Sequence, residues 1–226
     1  MALRSVTESP GGINLGFTIS VAMCTFNGER FLPPQLESIA VQHRPPDELV
    51  VCDDGSSDGS RDIVREFARR VPFPVQFVEN ERNLGTIKNF EQAISLCKSE
   101  FVALADQDDV WYRQKLSRIE RAFLQSTEVV AVFSDADLID EESRLLPARL
   151  WQSYLFEEEE RERFVKEEAV SILTRHHIVT GATLAFRKRF FGVLAPFEDF
   201  HDRWLGFLLA TCGRFEAIAE PLMQYR

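Results

Sequence analysis

Three aspartates stand within four positions in the segment "FVALADQDDVW", directly after a run of apolar residues; they are Asp106, Asp108 and Asp109. Carboxylates this close repel one another unless water screens them on a loop or a cation binds between them. Mg²⁺ and Mn²⁺ are hard cations that one or two carboxylates hold together with the phosphate oxygens of a substrate. The segment therefore indicates either a solvated loop or a metal site for a phosphorylated ligand.

A second acidic cluster, "DDGSSDGS", follows another apolar run. Asp53 ends that run, where a carboxylate can accept hydrogen bonds from the ring N–H of a base or from ribose hydroxyls. The alternative is that the whole segment only turns the chain and caps the next helix. The sequence has no G-x-G-x-x-G and no G-K-[ST] motif, so we do not expect the N–H groups of a glycine-rich loop to bind phosphates. A metal ion at the first cluster would neutralise them instead.

The elements that must position these clusters follow from short apolar runs that alternate with longer amphipathic stretches. A β-α-β-α-β-α-β unit of this kind closes as a mainly parallel, doubly wound α/β sheet, with ligands at the carboxyl ends of the strands. Polar clusters follow each of the predicted strands, as that rule requires. The strands are predicted at residues 18–24, 48–54, 75–80 and 101–106, and the helices begin at Pro33-Pro34 and span 58–71 and 86–98.

The second half of the chain has a less regular pattern. It predicts a helix over residues 114–126, a strand and turn over 128–140, and a charged, solvated connection over 141–170 that ends in a helix. The acidic run "EEEERERFVKEE" in that connection indicates a solvent-facing surface. A strand or strand pair in "HIVTGATLAF", a basic turn, a helix in "WLGFLLATCG" and a last strand in "RFEAIAE" follow.

Composition excludes several classes of protein. The 226 residues are 45% hydrophobic, with 19 Phe, which suits one domain with a large core. The net charge is −10 and no basic stripe is present, so nucleic acid is not expected as a partner. The four scattered cysteines indicate reduced, buried thiols of a cytoplasmic protein. The longest nearly uncharged run is too short to span a membrane, and residues 1–17 lack an apolar signal core and predict a flexible leader.

The order and spacing of seven segments resemble a known family. They are "VAMCTFNGERFLPPQLESIAVQ", "LVVCDDGSSDGS", "ERNLGTIKNF", "FVALADQDDVW", "VTGATLAF", "FHDRW" and "EPLMQYR". Together they resemble the family 2 inverting glycosyltransferases of the GT-A fold, and most of all the rhamnosyltransferase-like branch that builds bacterial surface polysaccharides. The resemblance covers residues 18–226 as a single domain. It implies a Rossmann-like nucleotide-sugar-binding half, residues 18–110, and an acceptor and catalytic half, residues 111–226.

The resemblance also implies a role for individual residues. Asp106-Gln107-Asp108 with Asp109 matches the D-x-D region that binds the ribose and the metal, with Asp108 and Asp109 both candidate ligands for Mg²⁺ or Mn²⁺. Asp202 in "FHDRW" matches the general base that deprotonates the acceptor. The nucleotide-sugar would contact Thr25, Phe26, Asn27, Asp53, Asp54, Asn83, Gly85, Lys88, Asn89, Asp106 and Asp108.

The function implied is metal-dependent transfer of one sugar from dTDP-rhamnose or a UDP-hexose to a saccharide or lipid-linked acceptor. We expect a cytoplasmic enzyme that can associate with the inner face of the membrane, and the sequence predicts no oligomeric state. The sequence lacks the Q-x-x-R-W motif of processive members, which favours single-sugar transfer. Relatives usually continue beyond the residues that match Tyr225-Arg226 with a histidine-containing stretch, so we expect the acceptor half to be truncated.

The surroundings of Asp202 add a physical expectation. An apolar, aromatic loop precedes it and Trp204 follows, a setting that could raise its pKa and stack a sugar ring. The alternative is that Asp202 only caps a helix beginning near Arg203. His201 could tune Asp202, whereas His176 and His177 are expected to be structural or solvated.

Two other functions stay open at this point. In "ALADQDDV" an apolar strand precedes D-x-D-x-V, which resembles the nucleophile motif of haloacid-dehalogenase-like phosphatases, although that motif should end the first core strand and three strands precede it here. The chain could also be a catalytically inactive nucleotide-sugar-binding module. Release of nucleoside diphosphate, release of phosphate, or binding without either distinguishes the three functions.

Overall fold

The computed structural model describes residues 16–226. The predicted leader, residues 1–17, therefore lies outside the described residues except for Gly16 and Phe17. The Phe17 ring stacks on Phe101, with 4.2 Å between the ring centroids. Phe17 thus packs on the domain, and the leader boundary falls before it.

The first half forms the predicted parallel unit. All three pairings among its four strands are parallel, in the order β3-β2-β1-β4. Every residue of β2 and β4 is buried, which explains why strands covered on both faces appear as continuous apolar runs. The elements are β1 (Ile19–Thr25), α1 (Leu32–Ala40), β2 (Glu48–Asp53), α2 (Ser60–Arg70), β3 (Val75–Glu79), α3 (Thr86–Leu96) and β4 (Phe101–Ala105).

The second half extends the same sheet in mixed orientation. Its elements are β5 (Val110–Trp111), α4 (Lys115–Gln125), β6 (Val129–Ile139), β7 (Leu145–Arg149), α5 (Leu150–Ser153), α6 (Glu158–Arg163), α7 (Ala169–Leu173), β8 (Ala185–Arg187), α8 (Phe191–Leu194), α9 (His201–Cys212) and β9 (Arg214–Tyr225). The sheet order is β3-β2-β1-β4-β8-β6-β9-β5, with β7 paired to β6. β8 is antiparallel to β4 and β6, whereas β9 is parallel to β6. The predicted α/β class with a mainly parallel sheet is confirmed.

The prediction of a solvated connection over residues 141–170 is wrong in part. This stretch contains β7 and three short helices. Trp151 and Phe164 pack on Phe133 of β6, each with ring centroids 5.3 Å from that of Phe133. A few aromatic residues spread through a highly charged segment are enough to fix it on the sheet, and average composition hides them. The solvent-facing surface is confirmed for α6, which buries no residue.

The segment "HIVTGATLAF" is mostly not a strand, contrary to prediction. Only Ala185–Arg187 pairs in the sheet, and Gly181–Thr183 forms a 3₁₀ turn. The backbone N–H of Thr183 donates to the Thr180 carbonyl at 3.0 Å. Residues 178–186 are buried and only His177 is exposed, so the apolar content of the segment reflected burial and not strand pairing.

The cysteines were predicted to be reduced, buried thiols, and the structure confirms this in part. All four cysteines are unpaired, but only Cys52 and Cys97 are fully buried. Burial raises the pKa of both of these thiols to about 12. Within residues 16–226, no helix combines the length and apolar character that crossing a bilayer requires.

The strand directions bring the polar clusters to one edge. Because β1, β2, β3 and β4 are parallel, their carboxyl ends lie side by side. The end of β9 reaches the same place, since Gln224 pairs with Val110 just after the aspartate cluster. This carboxyl edge is where a ligand site is expected in a sheet of this kind.

Candidate functional site

A cavity of about 290 Å³ lies at the carboxyl edge of the sheet. We call it the acidic cavity. Of the residues that the sequence predicted to contact the nucleotide-sugar, its walls contain Thr25, Phe26, Asp54, Asn89, Asp106 and Asp108. Cys24, Thr86, Phe90, Gln107, Tyr225 and Arg226 complete the walls.

Gln107 joins two of the loops that form the acidic cavity. Its Oε1 accepts a hydrogen bond from the backbone N–H of Phe26 at 2.9 Å, and its Nε2 donates to the Phe26 carbonyl at 3.2 Å. A Cβ at Gly28 would come within 2.3 Å of the Gln107 side chain. This contact explains the glycine after Phe26-Asn27 and fixes the aspartate loop against the end of β1.

Asp53 is fully enclosed and does not line the cavity. Its carboxylate accepts hydrogen bonds from the Thr25 hydroxyl at 3.0 Å, Arg61 Nε at 2.8 Å, and both the backbone N–H and the hydroxyl of Ser56. Burial raises the pKa of Asp53, but the bonds from Ser56 and Arg61 outweigh burial and hold the pKa below its ordinary value. The capping alternative does not describe Asp53, because the N-cap of α2 is Gly59.

Asp54 lies at the cavity wall and holds the next loop. Its Oδ1 accepts hydrogen bonds from Leu84 N at 2.7 Å and Asn80 Nδ2 at 2.9 Å, and its Oδ2 accepts one from Gly85 N at 2.9 Å. Gly85 has a φ of +81°, a conformation that favours glycine. Asn83 Nδ2 donates to the Asp54 carbonyl at 3.1 Å. Asn83 and Gly85 thus shape the wall without lining it.

The other predicted contact residues have protein partners. Lys88 Nζ lies 2.8 Å from Glu91 Oε2 and donates to the Phe197 carbonyl at 3.2 Å, so it contacts the loop before α9. Asn27 Oδ1 accepts a hydrogen bond from Ser57 N at 2.9 Å. Asn89 is 1% exposed and donates to the Cys52 carbonyl at 2.9 Å. The structure brings these residues around the cavity as its supporting layer.

The three aspartates of the loop after β4 are less well stabilised by the protein. Burial raises the pKa of Asp106 to about 7, with further contributions from the charges of Asp108 and Asp202. Burial also raises the pKa of Asp108. For Asp109, burial followed by the charges of Asp106 and Asp108 raises the pKa well above its ordinary value. One carboxylate oxygen of Asp109, Oδ2, is buried with no hydrogen-bond partner among residues 16–226.

Two cationic residues, Lys115 and Arg226, act on this loop. Lys115 is 1% exposed, and its Nζ donates to the Ala182 carbonyl at 2.6 Å. Burial lowers the pKa of Lys115 to about 7, against the opposing charges of Asp109 and Asp106. Arg226 Nε donates to the Asp108 carbonyl at 2.9 Å, and Arg226 N donates to Asp109 Oδ1 at 3.1 Å.

The donor set suits a divalent cation that is shared with a ligand. No three His, Cys, Asp or Glu side chains in the described part of the chain converge as a complete metal site. The unpartnered Asp109 oxygen, and the burial that raises the pKa of all three aspartates, nevertheless show carboxylates that the protein does not fully stabilise. Oxygen ligands of this kind are those that Mg²⁺ and Mn²⁺ take, with substrate phosphate oxygens filling the other positions. Asp108 lines the cavity and Asp109 lies behind it.

Asp202 lies in the first turn of α9. Its Oδ2 is 3.3 Å from His177 Nε2, and its side chain is 21% exposed. The prediction of a raised pKa is wrong: burial raises the pKa, but the hydrogen bond from His177 and the charge of His201 bring it below its ordinary value. Nothing in the sequence indicated that His177 would face Asp202. The N-cap of α9 is Phe200, and the Asp202 carboxylate accepts a hydrogen bond from the backbone N–H of Arg203 in the first turn at 2.7 Å.

The histidines lie around Asp202 and the cavity wall. His177, expected to be structural or solvated, has a side chain that is 43% exposed and pairs with Asp202. His201 is 8% exposed and stacks on Phe90 of the cavity wall, with 4.1 Å between ring centroids. Neither ring nitrogen of His201 has a hydrogen-bond partner in residues 16–226. His201 therefore packs the start of α9, which also contains Asp202, against the cavity wall.

Several residues of the site were missed by sequence reasoning. Tyr225 and Arg226 belong to the quoted segment "EPLMQYR", and Phe90 belongs to "ERNLGTIKNF", but no role was assigned to them. Gln107 stood between the aspartates, and its amide fits the backbone of an adjacent strand end. Lys115 had no signal, because a lysine in an amphipathic helix is normally exposed.

A cavity larger than the acidic cavity contains none of the predicted site residues. It has a volume of about 580 Å³ and includes Val130 at the start of β6 and Arg214 at the start of β9. These strand starts lie at the edge of the sheet opposite the acidic cavity. Volume alone therefore does not identify the site here, whereas the strand ends and the charge do.

Comparisons with known proteins agree with this geometry. The sequence profile described as glycosyl transferase family 2 matches residues 20–194. An uncharacterized glycosyltransferase of Nostoc sp. is 34% identical over 122 residues, covering 54% of this chain and 37% of the relative. The Escherichia coli UDP-Glc:α-D-GlcNAc-diphosphoundecaprenol β-1,3-glucosyltransferase WfgD is 26% identical over 127 residues, covering 56% and 49%. The matched segment spans less than half the length of both relatives.

Solved structures show the same fold at lower identity. Staphylococcus aureus TarS in complex with UDP-GlcNAc superposes with a TM-score of 0.71 at 20% identity, covering 92% of this chain and 58% of that one. A mannosyltransferase from Pyrobaculum calidifontis in complex with GDP-Man and Mn²⁺ superposes with a TM-score of 0.65 at 21% identity, covering 92% and 56%. The chain thus has the GT-A fold that these glycosyltransferases share.

Proposed function

The chain belongs to glycosyl transferase family 2, and we propose that it transfers one sugar from a nucleotide-diphosphate sugar to a saccharide or lipid-linked acceptor. The observation that carries the proposal is the acidic cavity. There the uncompensated carboxylates Asp106 and Asp108 face the end of β1 at Thr25 and Phe26. Asp202 lies near enough for its charge to raise the pKa of Asp106. Nucleotide-binding residues, metal-binding carboxylates and a base would then share one site.

The nucleotide-sugar occupies the acidic cavity in this proposal. Phe26 is 47% exposed and offers a face for the base. Asp53 acts through Thr25, whose hydroxyl it fixes at 3.0 Å, and Asp54 holds the loop that contains Asn83 and Gly85. Residues 18–110 would thereby bind the donor, and residues 111–226 would bind the acceptor.

A divalent cation, Mg²⁺ or Mn²⁺, fits the carboxylates of the aspartate loop. When bound, the ion would neutralise the charge that develops on the leaving pyrophosphate. Asp108 is the ligand at the cavity wall, and Asp109 supplies a second carboxylate from behind it. The Mn²⁺ in the complex of the P. calidifontis mannosyltransferase supports this assignment by analogy of fold.

Asp202 acts as the general base. Its lowered pKa keeps the carboxylate ionised at neutral pH, so it can accept the proton of the attacking hydroxyl as the new bond forms. His177 Nε2 and the backbone N–H of Arg203 hold the carboxylate oxygens in place, at 3.3 Å and 2.7 Å. Attack from the Asp202 side, opposite the leaving pyrophosphate, inverts the anomeric carbon.

The finer assignments rest on the motifs of the sequence. The absence of Q-x-x-R-W supports transfer of a single sugar per acceptor, and the rhamnosyltransferase-like motifs support dTDP-rhamnose ahead of a UDP-hexose as donor. An acceptor of surface polysaccharide synthesis would place the enzyme in the cytoplasm at the inner face of the membrane. Family membership replaces the phosphatase alternative, because the D-x-D-x-V match is part of the glycosyltransferase motif.

Incubation with Mn²⁺ and a panel of UDP-, dTDP- and GDP-sugars tests the proposal. We expect slow release of nucleoside diphosphate from one donor, and a rise in Tm with nucleoside diphosphate that requires the metal, because a ligand that binds only the folded state stabilises it. Release of inorganic phosphate would contradict the proposal. Nucleotide binding without release, even with acceptors present, would identify an inactive binding module.

A further inference from the structure

A second cavity, of about 510 Å³, opens on the other side of Asp202. We call it the basic cavity. Its charged and aromatic lining consists of Arg175, His176, His177, Phe200, Asp202 and Arg203. The chain has a net charge of −10, so two arginines beside two histidines are a local concentration of basic residues, with Glu160 near His176 and Asp199 near Arg203 outside the lining.

The positive charges of the basic cavity are only partly neutralised by the protein. Arg175 has no carboxylate partner in residues 16–226, and its Nε donates to the Ser171 carbonyl at 3.2 Å. Arg203 Nε lies 3.6 Å from Asp199 Oδ2, with both side chains exposed to solvent. Exposed ion pairs of this length contribute little. Arg175 therefore has donors left for another anion, and Arg203 can exchange its exposed partner Asp199 for one.

The position of the basic cavity connects it to the reaction. Asp202 lines it, and the adjacent residue His201 stacks on Phe90 of the acidic cavity wall with 4.1 Å between ring centroids, so Asp202 lies between the two cavities. The N-terminal turn of α9, a helix of 12 residues, opens here as well, and its backbone N–H groups favour negative charge. A group bound in this cavity would lie next to the base.

We propose that the basic cavity binds an oxyanion of the acceptor substrate, a phosphate or a carboxylate, close to the hydroxyl that Asp202 deprotonates. This inference rests on the proposed function. An anionic acceptor approaching Asp202 alone would be repelled by the carboxylate. Arg175 and Arg203 reverse that field, and their planar guanidinium groups suit phosphate and carboxylate oxygens.

Phe200 adds an apolar surface beside the charges. Its side chain is 69% exposed although it directly precedes α9. An exposed ring at the mouth of a charged cavity can pack on the face of a sugar or on an alkyl chain. The basic cavity thus matches an acceptor that carries its negative charge next to a sugar or a lipid.

Titration calorimetry with three short-chain probes tests the oxyanion site. Octyl diphosphate, octyl glucuronide and neutral octyl glucoside are compared in the presence of saturating nucleoside diphosphate and Mn²⁺. We expect a charged probe to bind the parent about tenfold more tightly than octyl glucoside, the size of one charge-assisted hydrogen bond. Tighter binding of the diphosphate would identify a phosphate acceptor, and tighter binding of the glucuronide an acidic sugar.

Matched variants locate the preference for a charged probe. Arg175→Gln and Arg203→Gln should each reduce that preference about threefold or more, and the double variant should abolish it. Arg189→Gln changes an exposed arginine on the wall of the 580 Å³ cavity and should leave it unchanged. Repeating the titrations with Asp108→Asn separates diphosphate binding in the acidic cavity from binding in the basic cavity.

The outcomes separate this inference from the proposed function. Equal binding of charged and neutral probes by the parent, or a preference that survives in the double variant, would overturn the oxyanion site. A preference that depends on the two arginines, without any release of nucleotide from donor sugars, would contradict the transferase and leave the oxyanion site supported.

Discussion

Asp53 and Asp109 are both buried carboxylates near the same edge of the sheet, yet their pKa values move in opposite directions. Asp53 accepts hydrogen bonds from Thr25, Ser56 and Arg61, and its pKa is lowered. Asp109 accepts one from Arg226 N, leaves Oδ2 unpartnered, and has a raised pKa. The protein stabilises the first charge itself and leaves the second without enough donors.

The difference separates structure from function at this site. A carboxylate whose bonds are all satisfied within the chain holds the fold together, and its loss should be measured as stability. Carboxylates left with surplus negative charge in a cavity are arranged for a group that arrives from outside. Asp106, Asp108 and Asp109 belong to the second class. Asp202 has features of both classes: His177 binds one of its oxygens, and the charge of Asp202 still raises the pKa of Asp106.

Changing Asp108 should have the largest effect on function. We expect Asp108→Asn to lower turnover by about 10³-fold, because the metal contributes several kcal/mol to charge stabilisation in the transition state. The metal-free Tm should stay unchanged or rise, since one repelling charge is removed. Turnover with Mn²⁺ and differential scanning fluorimetry with chelator measure the two effects.

Asp109→Asn is the matched control for Asp108. It removes a carboxylate of the same loop that does not line the cavity, so it should weaken metal-supported nucleotide binding less than Asp108→Asn does. Binding that persists undiminished in chelator, in the parent or in either variant, would show that these carboxylates do not act through a metal.

The surroundings of Asp53 also show where reasoning from the sequence succeeds. Strands such as β2 and β4 were predicted to within one residue, because buried parallel strands are continuous apolar runs. Asp53 at the end of β2 was placed correctly at the ligand edge. Its role in binding the nucleotide stays a prediction, and its bond with Thr25 could not be predicted, because Thr25 is its neighbour only through the pairing of β1 with β2. Arg61, which lies in α2, is a partner that residue spacing alone does not reveal.

The cluster of Asp106, Asp108 and Asp109 has neighbours that no local sequence pattern reveals. The aspartates were found from their spacing, but Tyr225 and Arg226 reach them only because β9 pairs with β5, a two-residue strand too short to predict. Lys115 lies in an amphipathic helix and its burial depends on packing against Ala182. Asp202 was placed in a loop before a helix, and its pKa was predicted in the wrong direction because His177 joins it only in the fold.

Replacing Asp202 tests the carboxylate that His177 holds in place and that also acts on Asp106. We expect Asp202→Asn to lower turnover by about 10²-fold or more, the size of a general-base contribution, with donor affinity nearly unchanged. Asp199→Asn, a neighbouring acidic residue paired loosely with Arg203, is the control and should have much less effect. Transfer to the natural acceptor that survives in Asp202→Asn would show that another group removes the proton.

Replacing Asp53 should reduce stability before it reduces chemistry. We expect Asp53→Asn to lower the free energy of unfolding by about 2–3 kcal/mol, because a buried acceptor of four hydrogen bonds loses its charge and its bond with Arg61. Urea unfolding monitored by tryptophan fluorescence measures it. Unchanged stability together with weaker nucleoside binding would reverse the assignment and show that Asp53 contacts the base directly.

The two clusters should also respond to pH with opposite signs. A lowered pKa, as at Asp53, gives stability that is present above the unfolded value of about 3.9 and is lost as pH falls below it. A raised pKa has the reverse effect. Between about pH 4 and pH 7 the folded chain holds a proton on Asp106 that the unfolded chain has released, so the metal-free fold loses stability as pH rises through this range.

This pH response is the smallest of the expected effects. In chelator, raising the pH from 5 to 7 should cost about 1–2 kcal/mol of unfolding free energy through Asp106, less than the full shift of its pKa because the side chain keeps some contact with water. Asp106→Asn should flatten the slope, whereas Asp53→Asn should leave it, since Asp53 titrates below this range. Urea unfolding at several pH values gives the slope for each variant.

Saturating Mn²⁺ with nucleoside diphosphate should reverse the sign of this pH slope, because a ligand that needs the ionised carboxylates binds better as pH rises. A slope that is the same in Asp106→Asn as in the parent would show that the aspartate loop is already neutralised within the fold, and the contrast between the two clusters would fail.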